Sequence, residues 1–379
     1  MTMITGYLLK KRGFLQADIL LTSPNKWMAP FQIPSVLANA DSPGLKAHTV
    51  VGLCQKIVVV NEHFAVAFAG DVPDIQAAVR LIDKLVAQNP ELTGKRFVEA
   101  CLADEQLKKG HFDAIAMSIE DDQIQITSYG ADFEDCNEHL ELYVGGSGSK
   151  HALKNYKDYP SHAFDPSEED IVVHGTCMAL NQFAHHLNFE FKHGFQSETI
   201  SELFGGGYEV VTYHDGQFHK ISDVVYAFAD AELDSNNILQ IDIPKYMLKS
   251  AYKGDDLVIR SVEIDFEEDE DDHLPRNDRT FFIAPVVRYQ DTYVKDNCED
   301  LRFSGRFLCF LINIEFDGKI LTIPFVRKYE HDLSFMCRAF IAVVHEHFVQ
   351  FIYMDKFREE LTSHVLQFMK QLNALKSLE

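Results

Sequence analysis

The feature that most constrains this chain is its opening, where two short apolar runs, residues 3–9 and 13–22, are separated by a turn at 10–13. Runs of that length bounded by turn residues read as strands, so the protein begins with sheet. Residues 55–60 form a third strand pattern and 63–69 a fourth, ending at Gly70. Next, Ile75, Ala78, Val79, Ile82, Leu85 and Val86 recur at helical spacing over 74–87, and a second helix follows over 94–107. A hairpin is expected from 112–119 and 123–129. Tyr143 and Val144 then lead into the glycine-rich run 145–149, helices over 149–156 and 168–188, and a last hairpin over 208–213 and 217–221. Up to about residue 230 the order is strands, two helices, strands, two helices, strands.

Past residue 235 the texture changes. Residues 238–243 and 257–266 read as extended, the acidic run 267–272 as a solvated linker, and 307–316 with 319–326 as a hairpin with Asp317 and Gly318 at its tip. Helical patterns are expected over 334–350 and 355–375. The chain of 379 residues is long enough for two domains, placed at 1–235 and 236–379, with an insertion at about 23–50.

Charge and composition narrow the functions. A formal net charge of -23 without a dense basic stretch argues against nucleic acid as a partner. The seven cysteines are dispersed and include no CxxC pair, so neither a disulfide framework nor a zinc site is expected, and a reducing, cytoplasmic setting fits. No stretch has the order of a signal peptide or the length of a membrane span. Three local motifs are given structural readings. The 145–149 run lacks the Gly-Lys-Ser/Thr ending of a phosphate loop, His345-Glu346-His347 lacks metal-helix spacing, and 267–272 lacks the glycine of a calcium loop. No metal and no cofactor are expected.

Several segments carry a more specific signal: Thr2-Met3-Ile4-Thr5-Gly6, Gly13-Phe14-Leu15-Gln16-Ala17-Asp18, Gln55-Lys56-Ile57 and Ala67-Phe68-Ala69-Gly70. Asp18 stands sixteen residues after Thr2, and Gly70 fourteen after Lys56. In these segments and spacings the first 230 or so residues resemble the N-terminal nucleophile (Ntn) hydrolases of the proteasome β-subunit, HslV and Anbu type. Further along, Gly146-Ser147-Gly148 is similar to that family's Gly-Ser-Gly turn. Glu202 to Gly207 is similar to its Asp-x-x-Ser-Gly-Gly, with Glu202 in place of Asp and Gly205 in place of Ser. The resemblance does not extend to the last 140 or so residues.

The resemblance implies an α+β fold, a four-layer αββα sandwich followed by a further α+β region. It also implies a threonine-type peptidase in which Thr2, exposed by removal of Met1, is the nucleophile. A threonine hydroxyl needs a base within reach, and its own α-amine, with an ordinary pKa of about 7.7 to 8.0, can serve. The resemblance assigns Lys56 to tuning that amine with Asp18 as counter-ion, the Gly70 N–H to the oxyanion, and Ser147 and Glu202 to orienting the amine. Cys54, Phe68 and Val72 would form an apolar substrate pocket. The partners implied are a peptide or unfolded-protein substrate, further copies of the chain in a ring or spiral, and an unfoldase of unspecified kind. The insertion reads equally as a lid or ring contact and as a surface loop. Two other functions stay open: a catalytically idle binding or assembly module, and an Ntn amidohydrolase acting on small amides.

Overall fold

A computed structural model describes residues 2–24, 31–37, 48–159, 161–266, 273–298, 300–316, 318–330 and 338–376. Met1, much of the 23–50 insertion, the acidic run 267–272 and Asp317 lie outside the described residues. The chain divides into two compact units. The first comprises Met1–Ile221, Lys253–Leu257 and Phe282–Tyr293, and the second Ser222–Tyr252, Val258–Phe281 and Val294–Glu379.

The first unit contains β1 (Met3–Leu9), β2 (Arg12–Asp18), β3 (Leu20–Ser23), β4 (Thr49–Leu53), β5 (Ile57–Val59) and β6 (Phe64–Gly70), then α1 (Val72–Gln88) and α2 (Gly94–Ala103). There follow β7 (Phe112–Glu120), β8 (Gln123–Tyr129), β9 (Asp132–Asn137), β10 (Leu140–Gly146), α3 (Ser149–Lys157), α4 (Ile171–His193), α5 (Glu198–Ser201), β11 (Tyr208–His214) and β12 (Gln217–Lys220). Six strands form one sheet in the order β12-β11-β2-β1-β10-β9, and four form another, β5-β6-β7-β8.

Strand alternation explains how these sheets are covered. Along β6, Ala65, Ala67 and Ala69 face a cluster shared with Ile4, Leu15 and Ala17 of the six-stranded sheet. Phe64, Val66 and Phe68 point the other way, against Ile75, Ala78 and Ile82 of α1 and Phe97 and Cys101 of α2. The period of two thus gives one strand two apolar faces, a small one towards a sheet and a large one towards helices. On the six-stranded sheet the Tyr7 hydroxyl donates to the Gly175 carbonyl of α4 at 2.7 Å, and Phe183 of α4 stacks on Tyr208 of β11. Local signals set the helix starts: a Pro lies in the first turn of α1, and the Thr93 side chain accepts the Arg96 N–H at the head of α2.

The second unit contains β13 (Val224–Leu233), β14 (Leu239–Ile241), β15 (Tyr246–Lys253), β16 (Asp256–Phe266), β17 (His273–Ile283), β18 (Tyr293–Asp296), β19 (Phe307–Phe316), β20 (Lys319–Lys328), β21 (Phe340–His345), β22 (Phe348–Tyr353) and α6 (Asp355–Lys376). Among the described residues its sheet runs β20-β19-β13-β15-β16-β17-β22-β21, with β14 on β13 and β18 on β17. Phe310 of β19 is wholly buried amid Phe340, Tyr353 and Phe357. β13 pairs in parallel with β19, which explains why the second unit begins at Ser222 and not near residue 235.

One expectation is overturned here. Residues 340–350 are not helical: β21 and β22 form a hairpin, with His345 paired to Phe348 across its tip. Val349 and Tyr353 are buried while Phe348, Gln350 and Ile352 are exposed, a period of two that a short apolar run does not distinguish from a helix by spacing alone. His345 therefore ends β21, and Glu346 and His347 form the turn. Among the described residues no helix is long and apolar enough to cross a membrane.

Candidate functional site

The β1–β2 pairing brings Thr2 to Asp18. The register places Ile4 opposite Ala17, so Met3 lies opposite Asp18, and the Met3 N–H donates to Asp18 Oδ1 at 2.9 Å. The neighbouring strand β10 pairs with the other side of β1 and ends in the glycine-rich turn, where the Gly148 N–H donates to the Thr2 carbonyl at 3.2 Å and Ser147 Oγ does so at 3.4 Å. Thr2 is buried and held from both flanks through its backbone.

Asp18 is the hub of the site. Its side chain is 0% exposed, yet every acceptor position has a donor: Met3 N–H and Lys56 Nζ on Oδ1, the Leu20 N–H at 3.0 Å and the Gly205 N–H at 2.9 Å on Oδ2. Lys56 Nζ lies 2.8 Å from Asp18 Oδ1 and also donates to the Leu20 carbonyl at 2.7 Å. A buried ion pair is tolerated when its remaining donors and acceptors are largely met, and here Asp18 accepts four hydrogen bonds while the Lys56 ammonium donates two. The Lys56 strand is fixed in turn by Glu209 of β11, whose buried Oε1 accepts the Lys56 N–H and, at 2.8 Å, the Ile57 N–H.

Gly70 ends β6 beside this cluster and, with Ala69, Asp71, His111, Asp113 and Ser147, lines a cleft of ≈ 490 Å³. Its φ of +124° is open only to glycine at low cost, and a Cβ there would run into the His111 carbonyl oxygen and come to 2.6 Å from Phe112 Cα. Gly70→Ala is expected to destabilise the first unit by about 2–4 kcal/mol, seen as a lower urea midpoint, because backbone on both sides would have to move.

The other sequence-derived residues are placed differently. Cys54 and Phe68 are wholly buried within the apolar cluster under α1 and α2, against which Val72 packs partly buried, whereas the cleft is lined by the residues just named. Burial pushes the Cys54 thiol up to about 12, which makes it inert as a nucleophile near neutral pH. Glu202 is 42% exposed on its side chain, and its Oε2 lies 3.1 Å from His151 Nε2. At that turn it is the Gly205 N–H, and not the Glu202 carboxylate, that reaches Asp18.

Three acidic residues escaped the sequence reading. Glu209 supports Lys56, as described. Asp113 faces the cleft, accepts the Gly146 N–H at 2.9 Å, and is raised above the ordinary carboxylate range chiefly by burial. Glu190 of α4 is wholly enclosed and accepts four hydrogen bonds. Asp113 and Glu209 lie in patterns that read as ordinary strand, and Glu190 lies just past the helix expected over 168–188; the sequence signal is a charged residue within an apolar run, as for Glu209 before Val210 and Val211. His151 Nε2, Glu198 and Glu202 carboxylate oxygens lie within 4.8 Å of one another, a grouping that the His151–Glu202 hydrogen bond accounts for.

No family model and no curated protein matches the chain. Among solved structures it is similar to the Anbu (Gly-1) mutant from Hyphomicrobium sp. strain MC1, with 13% identity and a TM-score of 0.37 over 58% of this chain and 86% of that one.

Proposed function

We propose that the chain is a threonine-type N-terminal nucleophile peptidase, its first unit a four-layer αββα sandwich and Thr2 its nucleophile once Met1 is removed. The observation that carries this reading is the buried, hydrogen-bonded Asp18–Lys56 pair, joined to Thr2 through the Met3 N–H and flanked by the cleft at Gly70. A lysine ammonium is costly to bury, and a site that reacts through an adjacent amine gives that cost a purpose.

In the reaction the α-amine of Thr2 takes the hydroxyl proton as Oγ bonds to the substrate carbonyl carbon, and Lys56 lowers the amine's basicity by its charge. The Gly70 N–H faces the developing oxyanion. The C–N bond breaks as the ammonium returns a proton to the leaving amine; water then attacks the ester and restores Thr2. Ser147 and the Gly148 N–H hold Thr2 by its carbonyl. The reading includes a cytoplasmic homo-oligomer acting on peptides, with the region after residue 235 serving assembly or recruitment.

One observation favours a second reading, a catalytically idle module: the Glu202 carboxylate is engaged by His151. Turnover of fluorogenic peptides and of small acyl amides, measured beside the solution mass, separates the possibilities. Peptide cleavage by a large assembly is expected. Preference for small amides in a monomer or dimer would make the chain an amidohydrolase, and no turnover of either would leave the idle module.

A further inference from the structure

Glu190 lies near the end of α4 with a side chain that reaches no solvent. Its Oε1 accepts the Thr199 and Tyr208 hydroxyls, each at 2.9 Å, and its Oε2 accepts the Gly206 N–H at 2.9 Å and the Ser35 hydroxyl. These four donors come from α5, from β11, from the turn beside Asp18 and from the insertion. The carboxylate also fills the space over Gly205, where φ is +121° and a Cβ would collide with Oε1. Gly205 is the residue whose N–H holds Asp18.

The insertion meets the same turn by packing. Ile33, Ser35 and Val36 are buried, and a Cβ on Gly206 would come to 2.9 Å from Ile33 Cγ2. One carboxylate therefore joins the 31–37 segment to the glycine turn under the hub of the site.

We propose that Glu190 is a positioning residue of the Thr2 site, fixing with one carboxylate both the turn at Gly205 and Gly206 that grips Asp18 and the 31–37 segment of the insertion. This rests on the reading of Thr2 as nucleophile. Burial raises Glu190 to about 7, against the four hydrogen bonds that favour its charged form, so its ionisation falls within the working range of the site. The ionisable groups on the elements around it do not compensate its charge. His186, one turn earlier on α4, is held neutral by burial, at about 3. Glu209 faces the Lys56 and Ile57 amides, Glu202 and Glu198 face His151, Asp18 is satisfied by Lys56, and the 31–37 segment carries no ionisable side chain. Lys192 and His193 lie beyond Glu190 at the end of α4, and both are exposed. An ionised carboxylate is the stronger acceptor, so the turn is held most firmly above the Glu190 midpoint.

The test follows the Glu190 carboxyl carbon and the Gly205 and Gly206 amides by NMR from pH 5 to 9. It also measures the rate at which a peptide epoxyketone modifies the wild type, Glu190→Gln and Ser35→Ala. Both glycine amides are expected to titrate with the Glu190 carboxyl, and Glu190→Gln to abolish that movement. Glu190→Gln should slow the maximal rate of modification roughly tenfold with little change in the half-saturating concentration, since misplacement affects the reacting geometry more than binding. Ser35→Ala is expected to shift the same titration while leaving it present. Glycine amides indifferent to Glu190, or a Glu190→Gln protein modified at the wild-type rate at every pH, would overturn the proposal. If the wild type is not modified at all, the peptidase reading fails, and the amide titration with its Glu190→Gln comparison, which needs no activity, still decides whether Glu190 holds the turn.

Discussion

Replacing Thr2 with alanine is expected to lower peptide turnover by at least about 10³-fold, because it removes the attacking oxygen and leaves the rest of the site to bind without reacting. The side-chain change should cost little stability, since it leaves in place the contacts of the Thr2 carbonyl with Ser147 and Gly148 and of the Met3 N–H with Asp18. Thr2→Ser, which keeps both amine and hydroxyl, should retain measurable turnover. A loss confined to kcat, with the melting temperature within a degree or two of the wild type, is the expected pattern. A Thr2→Ala protein that still cleaves peptides would remove Thr2 from the mechanism.

Asp18→Ala is expected to have the largest effect on stability. It leaves the Lys56 ammonium buried without its counter-ion and strips an acceptor from the Met3, Leu20 and Gly205 amides at once. Breaking a buried pair in this way costs about 3–5 kcal/mol, and three backbone donors without partners add to it. In urea denaturation the midpoint of the first unit should fall accordingly. Pairing the change with Lys56→Met should restore part of the loss, because the double variant no longer buries an unpaired charge. If Asp18→Ala and the double variant were equally unstable, the ion pair would not be what the site is built around.

The parts of the fold that could be read from sequence are those whose periodicity is local. The opening hairpin, α1, the β7–β8 hairpin, α4 and α6 all appear where spacing and turn residues place them. β13 was missed because Val224 to Leu233 is apolar almost throughout with no strict alternation, as suits a strand buried in the middle of a large sheet. The 340–350 hairpin was misread because its apolar residues satisfy helical and strand spacings together. For the site, the resemblance led to Thr2, Asp18, Lys56, Gly70 and Ser147, which the fold gathers around one hub or its adjoining cleft. What it did not provide was Glu190 and Glu209. Their roles depend on which backbone amides face them, and that is fixed by the pairing of β11 with β2 and by the turn at 203–207, long-range facts that spacing along the chain does not carry.

The most direct test of the central claim is the mass of the N-terminal peptide after the purified protein is incubated with a peptide epoxyketone, with Thr2→Ala treated in parallel. The account expects a peptide that begins at Thr2 and carries one inhibitor mass, absent from the variant, since amine and hydroxyl must both react. A peptide that retains Met1 and carries no adduct would contradict it.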